Sequence, residues 1–175
     1  KRRCLGPPLL MPPRPLETIE FDELRPWQKA IAKRYMRPAA KYDRSIDWYY
    51  DKVGNTGKTV LAKYFIDRGK AIQISGVGSD CLYGIRQYKE RHGEGPEIII
   101  VDLPRCVGDL LCYTTLEQAK NACFYSPKYK GCIVRYNTPH VIVFSNQQPD
   151  KSKLSRDRWN VVDLSIVKKV VGSDN

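Results

Sequence analysis

A glycine-rich hexapeptide constrains the fold of this chain more than any other segment. Its sequence, Gly-Asn-Thr-Gly-Lys-Thr, occupies residues 54–59, between an aromatic stretch at residues 48–50 and a segment with helical periodicity. A strand, a glycine-rich turn and a helix in this order point several backbone N–H groups at one place, where the helix N-terminus adds partial positive charge. The hexapeptide therefore predicts a phosphate-binding loop. The alternative is an ordinary Gly-Asn turn.

The loop also predicts which side chains bind a nucleoside triphosphate. Lys58 would reach the outer phosphates, and the Thr59 hydroxyl would hold a magnesium ion. The motif is incomplete because Lys52 stands where its first glycine belongs, so either Lys52 tolerates the loop conformation or Gly54 shapes the turn. ATP and Mg²⁺ are the expected ligands, and the residues expected to bind them are Gly54, Asn55, Thr56, Gly57, Lys58 and Thr59.

Composition narrows the class of protein. The length of 175 residues suits one domain with a proper core, and a hydrophobic content of 42% is ordinary for a globular protein. The net charge of +11 favours nucleic acid or an acidic membrane surface as partner, with an inert basic surface as the alternative. No stretch approaches the roughly 20 apolar residues of a membrane span. The six cysteines lack metal-ligand spacing, so we expect reduced thiols in an intracellular protein.

Periodicity divides the chain into segments. Residues 1–16 are basic and proline-rich and predict a linker or tail. Residues 17–44 carry an amphipathic helical pattern, interrupted at Pro26, and predict a small helical segment for oligomerisation. Residues 45–168 alternate strands with helices, which predicts an α/β domain with a mainly parallel sheet and helices on both faces. Residues 169–175 form a polar tail.

The α/β domain contains a series of predicted elements. Strands are expected within residues 46–53, 71–75, 97–103, 140–145 and 159–167, and helices within residues 60–69, 80–90 and 115–123. Two of the strands contain continuous apolar runs, Ile98 to Val101 and Val141 to Phe144, which are typical of strands covered on both faces.

Polar residues follow both of these buried strands. Asp102 comes directly after the first, at a position from which a carboxylate can bind magnesium beside a phosphate loop. Asn146 follows the second, where an amide can orient an attacking water or sense the terminal phosphate. The alternative for both is an ordinary cap or turn residue. Leu103 stands where a second acid often activates water, so the base is unassigned.

Two arginines follow in the sequence Ser-Arg-Asp-Arg-Trp, at positions 156 and 158. An arginine that reaches the γ-phosphate of a neighbouring subunit would stabilise charge that develops in the transition state. Arg156 and Arg158 are both candidates for this role. The alternative is a surface arginine that pairs with Asp157 or Asp163.

The order of these motifs resembles the helicase half of replication-initiation (Rep) proteins of small circular single-stranded-DNA viruses, such as circovirus-like and nanovirus-like relatives, and of related plasmid proteins. The resemblance covers about residues 16–165 and includes Ile-Ile-Ile-Val-Asp-Leu-Pro-Arg and His-Val-Ile-Val-Phe-Ser-Asn. It implies a P-loop NTPase of the superfamily 3 helicase class with an AAA+-like core. It also implies subunits that assemble as a ring, usually a hexamer, around DNA, with ATP between neighbours.

The resemblance assigns roles by matching motif. The loop at residues 54–59 would be Walker A, Asp102 Walker B and Asn146 the motif C sensor. Arg158 would be the arginine finger, with Arg156 in reserve. In this family the segment between Walker B and motif C grips single-stranded DNA, and lysines beside a tyrosine suit phosphate contact and base stacking. The residues expected to contact DNA, unless they form only a solvated basic loop, are Lys120, Lys128, Tyr129 and Lys130.

The resemblance implies an ATP-dependent DNA helicase that unwinds viral or plasmid DNA during rolling-circle replication, in the host nucleus if the protein is viral. The nickase domain of such proteins would lie outside this chain, because His92 and His140 are far apart in sequence and do not form its metal site. One alternative is an RNA-directed NTPase of the same superfamily. Others are a non-hydrolysing ATP- and DNA-binding assembly module and a metabolic P-loop kinase.

Overall fold

A computed structural model describes residues 14–103 and 112–166. The first elements are a 3₁₀ turn at Phe21–Glu23 and helix α1 at Pro26–Tyr35. The remaining helices are α2 (Lys58–Asp67), α3 (Gly78–His92), α4 (Tyr113–Asn121) and a 3₁₀ turn at Arg156–Arg158. The strands are β1 (Ile46–Tyr50), β2 (Ala71–Ile74), β3 (Ile98–Asp102), β4 (Cys123–Ser126), β5 (Cys132–Arg135), β6 (His140–Ser145) and β7 (Trp159–Asp163).

The main sheet has five strands in the order β2-β3-β6-β1-β7, and all of its neighbouring strands are parallel. This arrangement confirms the predicted α/β fold. β6 lies between β1 and β3, so the carboxyl ends of these three strands are adjacent at one edge. In open parallel sheets this edge is where ligands bind.

Helices and apolar side chains cover both faces of the sheet. β1 is buried along its whole length, and its side chains alternate between the two faces. On one face Trp48 packs in a cluster with α3 and α4, which includes Ile85 and Leu116. On the other face Tyr49 packs in a cluster with α1 and α2, which includes Leu61 and Phe65.

Helix α1 shares this second core with the sheet. It begins at Pro26, whose fixed φ suits the first position of a helix, so the proline starts this helix and does not interrupt it. Trp27, Ala32 and Tyr35 are buried against the apolar side chains of α2. The Tyr35 ring lies edge-on to Phe65, with a centroid distance of 6.0 Å. The role predicted for residues 17–44 in oligomerisation stays a prediction.

A β-hairpin follows α4 where the sequence predicts only a DNA-gripping loop. β4 and β5 pair antiparallel, with Cys123 opposite Arg135. Ala122, in the left-handed conformation with a φ of 54°, ends α4 before residue 123, the predicted end of the helix. Phe124 and Val134 are buried between exposed neighbours. Each strand has only four residues, so this alternation is a short signal.

Near the ends of the chain, the last strand is shorter than predicted, and most of the predicted linker and the polar tail lie outside the described residues. The last predicted strand, residues 159–167, ends at Asp163, and residues 164–166 are helical. The linker predicted at residues 1–16 is described only from residue 14, and the polar tail at residues 169–175 is outside the description. Among the helices of residues 14–103 and 112–166, none combines the length and apolar character that a bilayer crossing requires.

Candidate functional site

The glycine-rich loop connects the end of β1 to the start of α2, as predicted. Gly54, Asn55 and Gly57 all have positive φ values, of 89°, 56° and 90°. Glycine and asparagine adopt this left-handed conformation most readily, and successive residues near it form concave nests of N–H groups that bind anions. Lys52 is exposed and is absent from the residues with positive φ, so Gly54 shapes the turn in place of the missing first glycine.

The loop forms one wall of a cavity of about 630 Å³. This volume is in the range of small-molecule sites. The cavity brings together residues from α2, the end of β3 and the end of β6. Its lining comprises Gly54, Asn55, Gly57, Lys58, Thr59, Val60, Gln73, Asp102, Leu103 and Asn146. Thr56, which the sequence also assigns to nucleotide binding, is fully buried and is not part of this lining.

Four of the predicted side chains are paired across the cavity. Lys58 Nζ donates to Asn146 Oδ1 at 3.4 Å, and Thr59 Oγ1 donates to Asp102 Oδ2 at 3.3 Å. Parallel register explains why they meet: Asp102 is opposite Phe144, and Tyr50 is opposite Ser145, so the three strands end together. The site therefore presents an ammonium group, a hydroxyl, a carboxylate and an amide within one cavity.

Thr59 and Asp102 suit a magnesium ion. Mg²⁺ prefers oxygen ligands in octahedral geometry, and it commonly binds to one or two protein oxygens together with phosphates and water. A hydroxyl and a carboxylate 3.3 Å apart supply two such oxygens at the edge of a cavity that is open to a ligand. The remaining positions would be filled by phosphate oxygens and water.

The cavity has one acidic side chain among its described lining residues, and this is Asp102. Leu103 occupies the position of a second acid, and residues 104–111 lie outside the described ranges, so the group that activates water stays unassigned. Gln73 on β2 also lines the cavity and was not predicted. Its only sequence signal is a polar residue inside the otherwise apolar β2.

Two further residues that the sequence does not predict contact the loop from the side of α1. Arg25 donates to the backbone carbonyls of Asn55 and Thr56, and Gln28 donates to the carbonyl of Gly57. A Cβ on Gly57 would lie 2.8 Å from Gln28 Nε2 and would displace that amide, and the φ of 90° at this position independently favours glycine.

The two candidate arginines lie at the opposite edge of the sheet. They immediately precede β7, whose first residue pairs with Ile46 at the start of β1. Arg158 is only 3% exposed; its Nη2 donates to Asn121 Oδ1 at 2.8 Å and pairs with Glu117 Oε1 at 3.1 Å. Burial lowers the pKa of Arg158. Arg156 is exposed. Neither side chain is near the phosphate loop of its own chain.

The structure corrects the expected role of Lys120. Its side chain is 1% exposed, and its ammonium group pairs with Asp43 at 2.7 Å and donates to the Pro139 carbonyl at 2.8 Å. Burial lowers the pKa of Lys120. The lysine faces inward from α4, so its ammonium group is not available to DNA phosphates at the surface.

The other three residues predicted to bind DNA form the tip of the hairpin. Tyr129 is 84% exposed, and its ring centroid lies 5.0 Å from that of Tyr83 on α3. Arg86 donates to the carbonyls of Lys128 and Lys130 at 3.3 and 2.6 Å, and Lys128 forms an ion pair with Asp80. Helix α3 therefore anchors a tip that carries two lysines and an exposed aromatic ring.

Comparison with known proteins supports the resemblance to Rep proteins. Para-Rep C2 of Subterranean clover stunt C2 alphasatellite is 37% identical over 82% of this chain and 49% of its own length. The chain is related to Para-Rep proteins. Para-Rep C10 of Milk vetch dwarf C10 alphasatellite is 33% identical, over 92% of this chain and 55% of its own length. Para-Rep C1 of Faba bean necrotic yellows C1 alphasatellite is 35% identical, over 80% of this chain and 48% of its own length.

The chain thus spans about half the length of the curated Para-Rep relatives it matches. No protein-family model matches it. The comparison shows that the chain is related to Para-Rep proteins. ATP hydrolysis and DNA unwinding stay predictions.

Proposed function

We propose that this chain is the ATP-hydrolysing DNA helicase domain of a Rep-type replication protein. One observation carries the proposal: Lys58, Thr59, Asp102 and Asn146 come from three separate elements and line one cavity beside a glycine-rich loop. Phosphoryl transfer depends on positioning and charge neutralisation more than on covalent chemistry, and these four groups suit both tasks.

Each side chain has a defined task in this proposal. Lys58 neutralises charge on the outer phosphates, and the backbone N–H groups of the loop hold the inner ones. Thr59 and Asp102 would hold Mg²⁺, which would supply positive charge beside the outer phosphates. Asn146 lies 3.4 Å from Lys58 Nζ and senses the γ-phosphate or orients the attacking water.

Single-stranded DNA is the proposed substrate of the motor. The net charge of +11 favours a polyanion. The hairpin tip offers the exposed Lys130 for phosphates and the exposed Tyr129 ring for base stacking, and Lys128 could contact phosphate if it leaves its ion pair with Asp80. The RNA-directed alternative predicts stronger stimulation of ATP hydrolysis by single-stranded RNA than by DNA of the same length.

The proposed assembly is a ring, with six subunits as the expected number and an arginine that acts on the neighbour's ATP. Both arginines lie at the edge opposite the loop, so an arginine from this edge would have to act on ATP across a subunit boundary. Arg158 is already bound by Glu117 and Asn121, whereas Arg156 is exposed, so Arg156 is the more accessible candidate.

A phosphate-release assay tests the function. Wild-type protein should hydrolyse ATP in a Mg²⁺-dependent reaction that single-stranded DNA stimulates, and Lys58→Ala should lower kcat by on the order of 100-fold or more, since it removes a charge that stabilises the transition state. Lys63→Ala is the matched control, because Lys63 is an exposed lysine on the same helix. Turnover by Lys58→Ala at the wild-type rate would refute the loop assignment.

A non-hydrolysing ATP-binding module is the second candidate. Leu103 favours it, because this apolar side chain lines the cavity where a second acid often activates water. It predicts Mg²⁺-dependent ATP binding that is lost in Lys58→Ala, with no phosphate release even in excess DNA.

A further inference from the structure

Helix α1 contacts the phosphate loop from behind through two side chains. Arg25 Nη1 donates to the carbonyl oxygens of Asn55 at 3.2 Å and Thr56 at 3.0 Å. Gln28 Nε2 donates to the carbonyl oxygen of Gly57 at 2.7 Å. Three consecutive carbonyls of the loop therefore have side-chain partners on one helix.

The local sequence Arg-Pro-Trp-Gln brings both side chains to the same place. Pro26 is the first residue of α1, so Arg25 is the N-cap and Gln28 the third helical residue. Gln28 Oε1 accepts from the Arg25 backbone N–H at 2.7 Å. Since a backbone N–H can only donate, this bond fixes the orientation of the amide and leaves its NH₂ group for the loop. Gln28 is 1% exposed, so its bonds form away from competing water.

These bonds orient the N–H groups that would meet a ligand. In a trans peptide the C=O and the following N–H point in opposite directions. Because the carbonyls of Asn55, Thr56 and Gly57 point toward α1, the N–H groups of the next residues point away from it. Gly57 and Lys58 line the cavity on that side. A carbonyl turned the other way would direct negative charge at a phosphate.

We propose that Arg25 and Gln28 are positioning residues for nucleotide binding. By binding the loop carbonyls, they keep the loop N–H groups directed at the cavity, and they do not contact the nucleotide themselves. The proposal rests on the proposed function of the cavity. Loss of either contact should raise the Kd and KM for ATP about tenfold, the equivalent of one or two hydrogen bonds. The value of kcat should change less than about threefold, because Lys58, Thr59 and Asp102 are retained.

The test compares variants that differ in the donor they keep. Gln28→Glu preserves the shape of the side chain and the acceptor for Arg25 N–H, but removes the donor to Gly57. Arg25→Ala removes an exposed side chain, and Arg25→Lys keeps the charge without the fork of donors. Gln87→Glu and Arg91→Ala are matched controls, since both residues are exposed on α3. Titration with a fluorescent ATP analogue, ATPase kinetics and the ligand-free Tm are measured for each.

The proposal predicts weaker binding in Arg25→Ala and Gln28→Glu, partial recovery in Arg25→Lys, and wild-type binding in both controls. If Gln28→Glu fails to fold, Arg25→Ala decides alone, because its side chain is not part of the core. Wild-type affinity in Arg25→Ala, or a rise in KM matched by an equal fall in ligand-free stability, would overturn the positioning role. Absence of nucleotide binding in the wild-type protein would instead contradict the proposed function.

Discussion

The two edges of the central sheet differ in the surroundings of their polar side chains. At the carboxyl edge, Lys58, Thr59, Asp102 and Asn146 face a cavity of about 630 Å³. At the amino edge three charged side chains are buried, and each pairs with a more exposed group: Lys120 with Asp43, Arg158 with Glu117, and Asp47 with Arg34. The first set lines a cavity, whereas each buried charge of the second set has a partner within the chain, although Arg158 Nε and Nη1 have no hydrogen-bond partner among the described residues.

This difference distinguishes two roles of a charged residue. A buried charge requires a partner in the fold because its desolvation is costly, and it is then unavailable to anything outside. A charged side chain that lines a cavity can contact a ligand there. Lys58 and Lys120 are both lysines on helices, but Lys58 lines the cavity, whereas Lys120 is 1% exposed and pairs with Asp43.

The largest expected effect comes from breaking the buried pair at the amino edge. Asp43→Asn retains the size of the side chain but leaves the Lys120 ammonium without its carboxylate. We expect a loss of about 2–3 kcal/mol in the free energy of unfolding, below the full cost of a broken buried pair because the Asp43 side chain is 25% exposed. Urea unfolding measures the change.

An exposed pair provides the control for this variant. Lys70 and Glu97 are 2.8 Å apart, with side chains 54% and 37% exposed, so Glu97→Gln should cost less than about 1 kcal/mol. The double variant Asp43→Asn/Lys120→Met should cost less than Asp43→Asn alone, because it removes the buried charge together with its carboxylate partner. Equal losses for Asp43→Asn and Glu97→Gln would contradict the contrast between the edges.

A mixing experiment asks whether the amino edge also serves the site of a neighbour. Arg156→Ala subunits added to wild type should lower ATPase activity by more than their fraction, since an arginine that acts across a boundary disables the adjacent site. Arg156 is exposed, so its removal should leave the free energy of unfolding within about 0.5 kcal/mol of wild type. Activity that falls in proportion to the fraction of Arg156→Ala would argue against this role.

The smallest expected effect is a pH dependence at the amino edge. His140 is 9% exposed, its Nε2 bonds to the Arg37 carbonyl at 2.8 Å, and burial lowers its pKa. The unfolded chain therefore binds a proton at higher pH than the folded chain does, so His140 contributes stability above pH of about 6.5 that is lost as the pH falls below it.

Unfolding measured between pH 7.5 and 5 should show this loss, and His140→Gln, which retains a donor for the Arg37 carbonyl, should reduce it. His92→Gln is the control because His92 is exposed. An unchanged pH slope in His140→Gln would show that other groups cause the loss.

Long or strongly apolar patterns predicted the fold well. The runs at residues 98–101 and 141–144 gave the central strands, and the glycine-rich loop gave the position of α2. The β4–β5 hairpin was not predicted, because four-residue strands carry little periodicity. Residues that follow adjacent parallel strands must converge, which is why Asp102 and Asn146 could be paired with the loop in advance.

Sequence alone did not distinguish a buried lysine from an exposed one. Lys120 was grouped with Lys128 and Lys130 by position, but its burial depends on Asp43, which is 77 residues away in the chain. The bonds from Arg25 and Gln28 to the loop span 29 to 31 residues and likewise leave no local pattern. Contacts between distant segments therefore limited the prediction of individual site residues.

A crystal structure with Mg²⁺ and a non-hydrolysable ATP analogue would show whether the cavity binds nucleotide. We expect the β- and γ-phosphates between the loop and Asp102, with Lys58 Nζ at a γ-phosphate oxygen and the metal ion held by Thr59 and Asp102. A triphosphate bound elsewhere on the protein, with Lys58 still directed at Asn146 and no ligand in the cavity, would contradict it.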